Sequence, residues 1–171
     1  MKFFDVLPQL AENELLKRGV MTDELLYCVK ADLDGEGGYV DVYITFTKDT
    51  LCILRGYEEY GKMKRGQKRK NLVSFTVSGY DEYPIDSIEE MYVDRYANSA
   101  RLMIKDKSGK EFPIARFSLG FADKFEKFSQ RVNCTAKNEP IDDRLLEGVK
   151  TTVLPAVSLI LTLTALSVRD V

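Results

Sequence analysis

The chain has 171 residues, 44% hydrophobic and 30% charged, with a net charge of -2. That is the profile of one folded domain with appendages rather than a disordered chain or a polybasic nucleic-acid binder. There is no histidine, which excludes Ser-His-Asp and Cys-His catalysis and HExxH metal sites.

No phosphate-cradling GxxxxGK[ST] loop and no GxGxxG motif occurs. Cys28, Cys52 and Cys134 are too widely spaced for a zinc ribbon and fit a reducing compartment. The N-terminus places Asp5 and Pro8 where a secretory signal needs an unbroken apolar core. The expectation is a non-enzymatic, cytoplasmic protein without metal or cofactor.

In chain order, residues 9–18 predict a short helix with Leu10, Leu15 and Leu16 to one side and Gly19 as its stop. Residues 25–33 alternate with period two, which predicts a strand with Tyr27, Val29, Ala31 and Leu33 on one face. Asp34–Gly38 is a turn. A second strand over 39–46 turns Val40, Val42, Ile44 and Phe46 inward, and Leu51–Leu54 makes a short third. A polar loop over 56–71 leads to a fourth strand at 72–77, broken by Asp81–Pro84. Strands follow at 88–96, 101–105 and 111–117. Pro113 cannot donate to a ladder, so the last is expected at a sheet edge.

The period then changes. Phe121, Phe125, Phe128 and Val132 recur at helical spacing over 119–133, as expected of an amphipathic helix packed on the sheet. Residues 134–150 read as a linker with a short helical pattern. From Thr151 to Val168 the chain carries no charge. Eighteen helical residues span about 27 Å, close to the roughly 30 Å of a bilayer core. Six of the 18 are Ser or Thr, and Pro155 interrupts them. Three readings stand: a C-terminal anchor, a helix packed on the domain or a second copy, and an extra strand.

The segments KADLDGEGGYVDVYITFTKDTLCILRG, YPIDSIEEMYVDRY and ARLMIKDKSGKEFPIARFS, with the Phe-rich helix after them, resemble bacterial pleckstrin-homology-like (PH-like) domains. More narrowly, they look like the N-terminal accessory domain of some bacterial ABC exporters. The resemblance covers about Glu24 to Asn133. It implies a mainly β fold, a seven-stranded bent barrel closed by a C-terminal helix. The domain limits then read 1–23 for a helical arm, 24–133 for the barrel, 134–150 for the linker and 151–171 for the apolar tail. The transporter and ATPase parts of those exporters have no counterpart here. A cytosolic docking or regulatory module near a membrane is the function implied.

One cluster stands out as a site. Lys62, Lys64, Arg65, Lys68, Arg69 and Lys70 carry six positive charges without an acid over 61–70. An anionic lipid surface, a membrane-protein partner and plain solvation are the competing readings, and nucleic acid is disfavoured because the loop lacks interleaved aromatics. Asp81, Glu82, Asp86, Glu89 and Glu90 are a candidate internal shield for that loop. Asp32, Asp34 and Glu36 read as a charged turn rather than a cation loop, since position 12 from Asp32 is Tyr43, not a bidentate Glu. A second copy of the chain, bound through the tail, is the alternative to a membrane role.

Overall fold

The computed structural model describes residues 5–62 and 71–140, apart from the Thr22 side chain. Apolar-rich runs form seven strands: β1 (Tyr27–Asp34), β2 (Tyr39–Phe46), β3 (Thr50–Tyr60), β4 (Leu72–Pro84), β5 (Ile88–Arg95), β6 (Ser99–Asp106) and β7 (Glu111–Ser118). They make one antiparallel sheet in the order β4-β3-β2-β1-β7-β6-β5. The sheet is open, with β4 and β5 as its edges. Helix α1 (Gln9–Leu16) precedes it and α2 (Ala122–Ala136) follows.

The hairpin turns use Asp and Gly as the sequence suggests. Asp34 Oδ1 accepts from the N–H groups of Glu36 (3.0 Å) and Gly38 (2.8 Å), and Gly37 sits at φ 91°. Asp106 repeats the device with Ser108 and Lys110, and Gly109 takes φ 83°. A carboxylate that accepts two backbone N–H groups fixes such a turn, and glycine takes positive φ without a Cβ clash.

The main core lies on one face of the sheet. Val29, Ala31, Val42, Ile44, Phe46, Leu51, Ile53, Leu102, Ile104 and Ala115 meet Ala122, Phe125, Phe128 and Val132 of α2 there. Phe117 and Phe125 stack with centroids 3.8 Å apart, and Phe46 meets Phe128 edge-on at 5.4 Å. Asn133 pins α2 to the edge strand: its Oδ1 accepts the Met91 N–H (2.7 Å) and its Nδ2 donates to the Met91 carbonyl (2.9 Å). The amide thereby satisfies edge groups that have no neighbouring strand.

A second core covers the opposite face over β1–β4. Ala11 and Leu15 of α1 join Val20, Cys28, Tyr43, Cys52 and Leu54. This explains the unbroken apolar run Leu51–Leu54, which faces a core on both sides. The run Cys28, Thr45, Cys52 lies directly across three strands. The two thiols are therefore about 10 Å apart, twice the strand spacing, which is too far for a disulfide. Both are free and buried.

Several expectations are corrected. Strand β7 is central, not an edge: β1 pairs with it at Leu33–Arg116 and Asp34–Ala115. Pro113 is accommodated because the β6–β7 ladder shifts register there and the β1 ladder has already ended. Strands β3 and β4 run past their predicted ends, to Tyr60 and from Leu72 through Pro84, because each supplies the other's hydrogen bonds. A bulge between Ala31 and Leu33 places Leu33 opposite Tyr39, on the face away from Val29 and Ala31. Phe121 leaves the helical stripe: it ends the 3-10 turn Leu119–Phe121 and is 53% exposed. Cys134 belongs to α2 rather than to a linker.

Leu15→Ala is expected to destabilise the fold by about 2–5 kcal/mol, the usual cost of truncating a buried leucine. It should also speed labelling of Cys28 and Cys52 by a thiol reagent under native conditions. Denaturant melts and labelling rates check this; unchanged labelling would mean that α1 does not guard the second core.

Candidate functional site

The basic cluster arises from the far end of the β3–β4 hairpin. The Gly61 N–H donates to the Asn71 carbonyl at 2.9 Å and closes the base of the connection. Lys62 is exposed there; Lys64, Arg65, Lys68, Arg69 and Lys70 lie outside the described residues. Three large side chains surround the base in solvent: Tyr57, Tyr60 and Val73, each more than half exposed.

The acidic run does not shield this end. Asp81 pairs with Ile53 and Glu82 with Cys52. They stand nine or ten residues along β4 from Leu72, about 30 Å at 3.3 Å per residue. Asp81 bonds Arg55, Glu82 accepts from the Tyr80 hydroxyl at 3.0 Å, and Glu89 pairs with Lys105 at 3.0 Å. Asp34 is used by its own turn, and no acid or cysteine group among the described residues is placed to hold a metal.

Beneath the loop base lies a polar cluster that spacing alone did not reveal. The Glu58 carboxylate is 2% exposed. It receives Lys30 Nζ (2.5 Å), the Tyr60 hydroxyl (2.5 Å) and the Tyr43 hydroxyl. Lys30 also meets Asp41 Oδ1 at 2.8 Å, and Asp41 Oδ2 accepts the Glu58 N–H at 3.0 Å. Burial alone would raise the Glu58 pKa, but the three donors outweigh it and hold the carboxyl below its ordinary value. Burial likewise opposes the Lys30 charge, and Asp41 and Glu58 overcome it, raising the ammonium's pKa. Burial and then Glu58 push the Tyr43 phenol up. The cluster is thus a fixed ion pair with two neutral phenols. It ties β1, β2 and β3 together and anchors Tyr60 at the foot of the loop.

A second feature lies where β1 and β7 part. Beyond their two shared pairs β7 leaves for α2, and the N-terminal segment fills the gap. The Asp5 N–H donates to the Cys28 carbonyl (3.0 Å), and Asp5 Oδ2 accepts the Lys30 N–H (2.6 Å) and Lys124 Nζ (2.7 Å). Beside this plug opens a cleft of about 300 Å³ bounded by Asp32, Leu33, Arg116, Ser118, Phe121 and Lys124.

No helix among the described residues is long and apolar enough to cross a membrane; residues 151–168 lie outside them. No family model, no curated protein and no solved structure matches the chain.

The ion pair has a pH signature. The Glu58 pKa is lowered from 4.5, so its stabilisation is present above about pH 4.5 and is lost as pH falls through the lower folded value. The pKa of Lys30 is raised from 10.5 and that of Tyr43 from 10.0. Their contributions are present below about pH 10 and are lost as pH rises through the higher folded values. Glu58→Gln is expected to cost about 2 kcal/mol at pH 7, less than a fully buried pair because Lys30 keeps Asp41 and some water. It should also flatten the acid limb of stability against pH, and urea melts at pH 3–7 check both.

Proposed function

We propose that this chain is a non-catalytic, PH-like docking or regulatory module that rests on an anionic membrane surface through the 61–71 connection. One observation carries the reading: Tyr57, Tyr60 and Val73 are exposed around the base of a segment with six basic residues. Basic residues near an anionic leaflet contribute about 1 kcal/mol each, and tyrosine favours the headgroup level, where its ring is apolar and its hydroxyl wet. The hairpin that presents them is stiffened by the Glu58 cluster, which lowers the ordering cost of contact.

The PH-like assignment draws its support from a four-strand meander, a three-strand meander and a closing helix, in the order the resemblance implies. The non-catalytic assignment draws on the missing histidine and on Glu58, which is enclosed and held ionised and so has no proton to give near neutral pH. A place beside a membrane transporter, as an accessory module, follows from the same resemblance.

Co-sedimentation with anionic and neutral vesicles tests the docking face. Neutralising Lys62, Lys64, Arg65, Lys68, Arg69 and Lys70 together is expected to weaken binding to anionic vesicles at least tenfold and leave Tm unchanged. Tyr57→Ser with Val73→Ser should weaken it further at high salt, where the charge contribution is screened. Binding to anionic vesicles that is indifferent to the six charges would overturn the proposal.

A further inference from the structure

The second core covers one face of β1–β4, and its members all come from the N-terminal region and those four strands. The same face over β5–β7 carries no such layer among the described residues. Two arginines lie there side by side. Arg101 alternates with buried Ala100 and Leu102, and Arg116 with buried Ala115 and Phe117, so both point away from the main core. The β6–β7 register sets Arg101 directly opposite Arg116. Such partners have Cβ atoms about 5 Å apart, and like charges so placed are unfavourable.

Arg101 lies over the Tyr96 ring, 5.2 Å from its centroid, and stands opposite Asp94 on β5, but neither arginine is in a salt bridge among the described residues. Arg18 pairs with Glu14, Arg55 with Asp81, and Arg95 with Asp123 and Glu126. Arg101 and Arg116 meet no carboxylate among the described residues. Arg116 gives Nε (3.2 Å) and one terminal nitrogen (3.0 Å) to Ser99 Oγ, and Arg101 reaches the Tyr96 hydroxyl at 3.4 Å. Arg101 Nε is buried without an acceptor. A buried unpartnered N–H costs about 1–3 kcal/mol; being enclosed, it is not the atom that an incoming anion would meet. Asp94 accepts from the Tyr96 hydroxyl at 2.7 Å.

Ser118 lies opposite Ser99, on the same face as the arginines. Arg116 and Ser118 also bound the 300 Å³ cleft. Two of the cleft's other charges, Asp5 and Lys124, cancel each other at 2.7 Å, and Asp32 stands exposed at its rim. The cleft has room for a small ligand beside Arg116 and Ser118; Arg101 and Ser99 lie outside its lining, on the neighbouring strand β6.

We propose that Arg101 and Arg116, with the Ser99 and Ser118 hydroxyls, form a phosphate-binding site on the face of β6 and β7 that points away from the main core. A phosphate would supply the counter-charge that the paired guanidiniums lack, since planar guanidinium forks match its oxygens in bidentate fashion. The site is separate from the 61–71 connection and does not rest on the membrane reading.

Titration of the full chain with inorganic phosphate, against chloride at matched ionic strength, tests it. Backbone amide shifts of residues 99–101 and 116–118 and Tm are the readouts. Phosphate is expected to shift those amides and raise Tm saturably. Arg116→Gln and Arg101→Gln should each weaken apparent affinity about tenfold or more, the worth of a charged hydrogen bond. Arg116→Lys, which keeps the charge but loses the fork, should fall between. The variant with six neutral loop residues should bind phosphate like the parent. The glutamine variants are checked for folding by Tm without phosphate, which relief of the like-charge pair should hold at or above the parent's. An equal response to chloride, or retention of the phosphate effect in both glutamine variants, would overturn the site. Phosphatidic acid vesicles form the second arm. If Arg101→Gln and Arg116→Gln weaken vesicle binding in parallel, the phosphate is a lipid headgroup; if they weaken only inorganic phosphate, it belongs to a free molecule.

Discussion

Two residue pairs hold the halves of this sheet together. Strand β1 pairs with β2 at six positions but with β7 at only Leu33–Arg116 and Asp34–Ala115. So short a seam leaves the Cys28 carbonyl and the Lys30 N–H of β1 without strand partners, and an unmet buried backbone group is costly. Asp5 meets both, and Lys124 of α2 meets Asp5. Helix α2 places Phe125, Phe128 and Val132 in the main core and is tied by Asn133 to Met91 of β5. The N-terminal plug and the cleft both lie where β7 departs from β1 after two pairs.

The polar groups divide into those that close on themselves and those that do not. Glu58, Lys30, Asp41, Tyr43 and Tyr60 form a satisfied set in which every charge has an opposite within reach. Such a set is valuable because removing one member strands the rest in a weak dielectric. Its place is structural, at the foot of the basic connection. Arg101 and Arg116 are the contrast: adjacent, alike in charge, and hydrogen-bonded to hydroxyls, with Arg101 also lying over the Tyr96 ring. A carboxylate or phosphate answers a guanidinium more strongly than water or a neutral oxygen does. The two regions thus present different surfaces, one suited to an extended anionic plane and one to a compact anion.

The face-to-face asymmetry of the sheet has one cause. Where α1 lies, strand positions on both faces are buried, and Cys28, Tyr43 and Cys52 are enclosed with Ala11 and Leu15. Burial raises the Cys28 thiol to about 12 and shifts the Cys52 thiol upward as well, so neither is a thiolate near neutral pH. Over β5–β7 no such layer is present among the described residues, and the same face carries arginine, serine and tyrosine. One short helix therefore decides which outward positions are core and which are surface.

Local pattern made much of this legible in the sequence. Period-two runs marked β1 and β2, short apolar runs marked the other five strands, Asp and Gly marked the turns at 34–38 and 106–109, and the Phe-rich period marked α2. These features are fixed by interactions between residues near in the chain. Strand ends were less legible, since Tyr60 and Pro84 are held by cross-strand bonds that no local pattern encodes. Pro113 misled for the same reason: a proline excludes a ladder bond, but only the neighbouring strands decide whether a bond is needed there. Leu33 changed face through a bulge that alternation could not anticipate. The six basic residues were visible as composition, whereas their neighbours Tyr57, Tyr60 and Val73 became a surface only when the hairpin left them uncovered. The pairs Glu58–Lys30 and Arg101–Arg116 join residues 28 and 15 positions apart. Register alone brings them together, and register is set by the whole sheet.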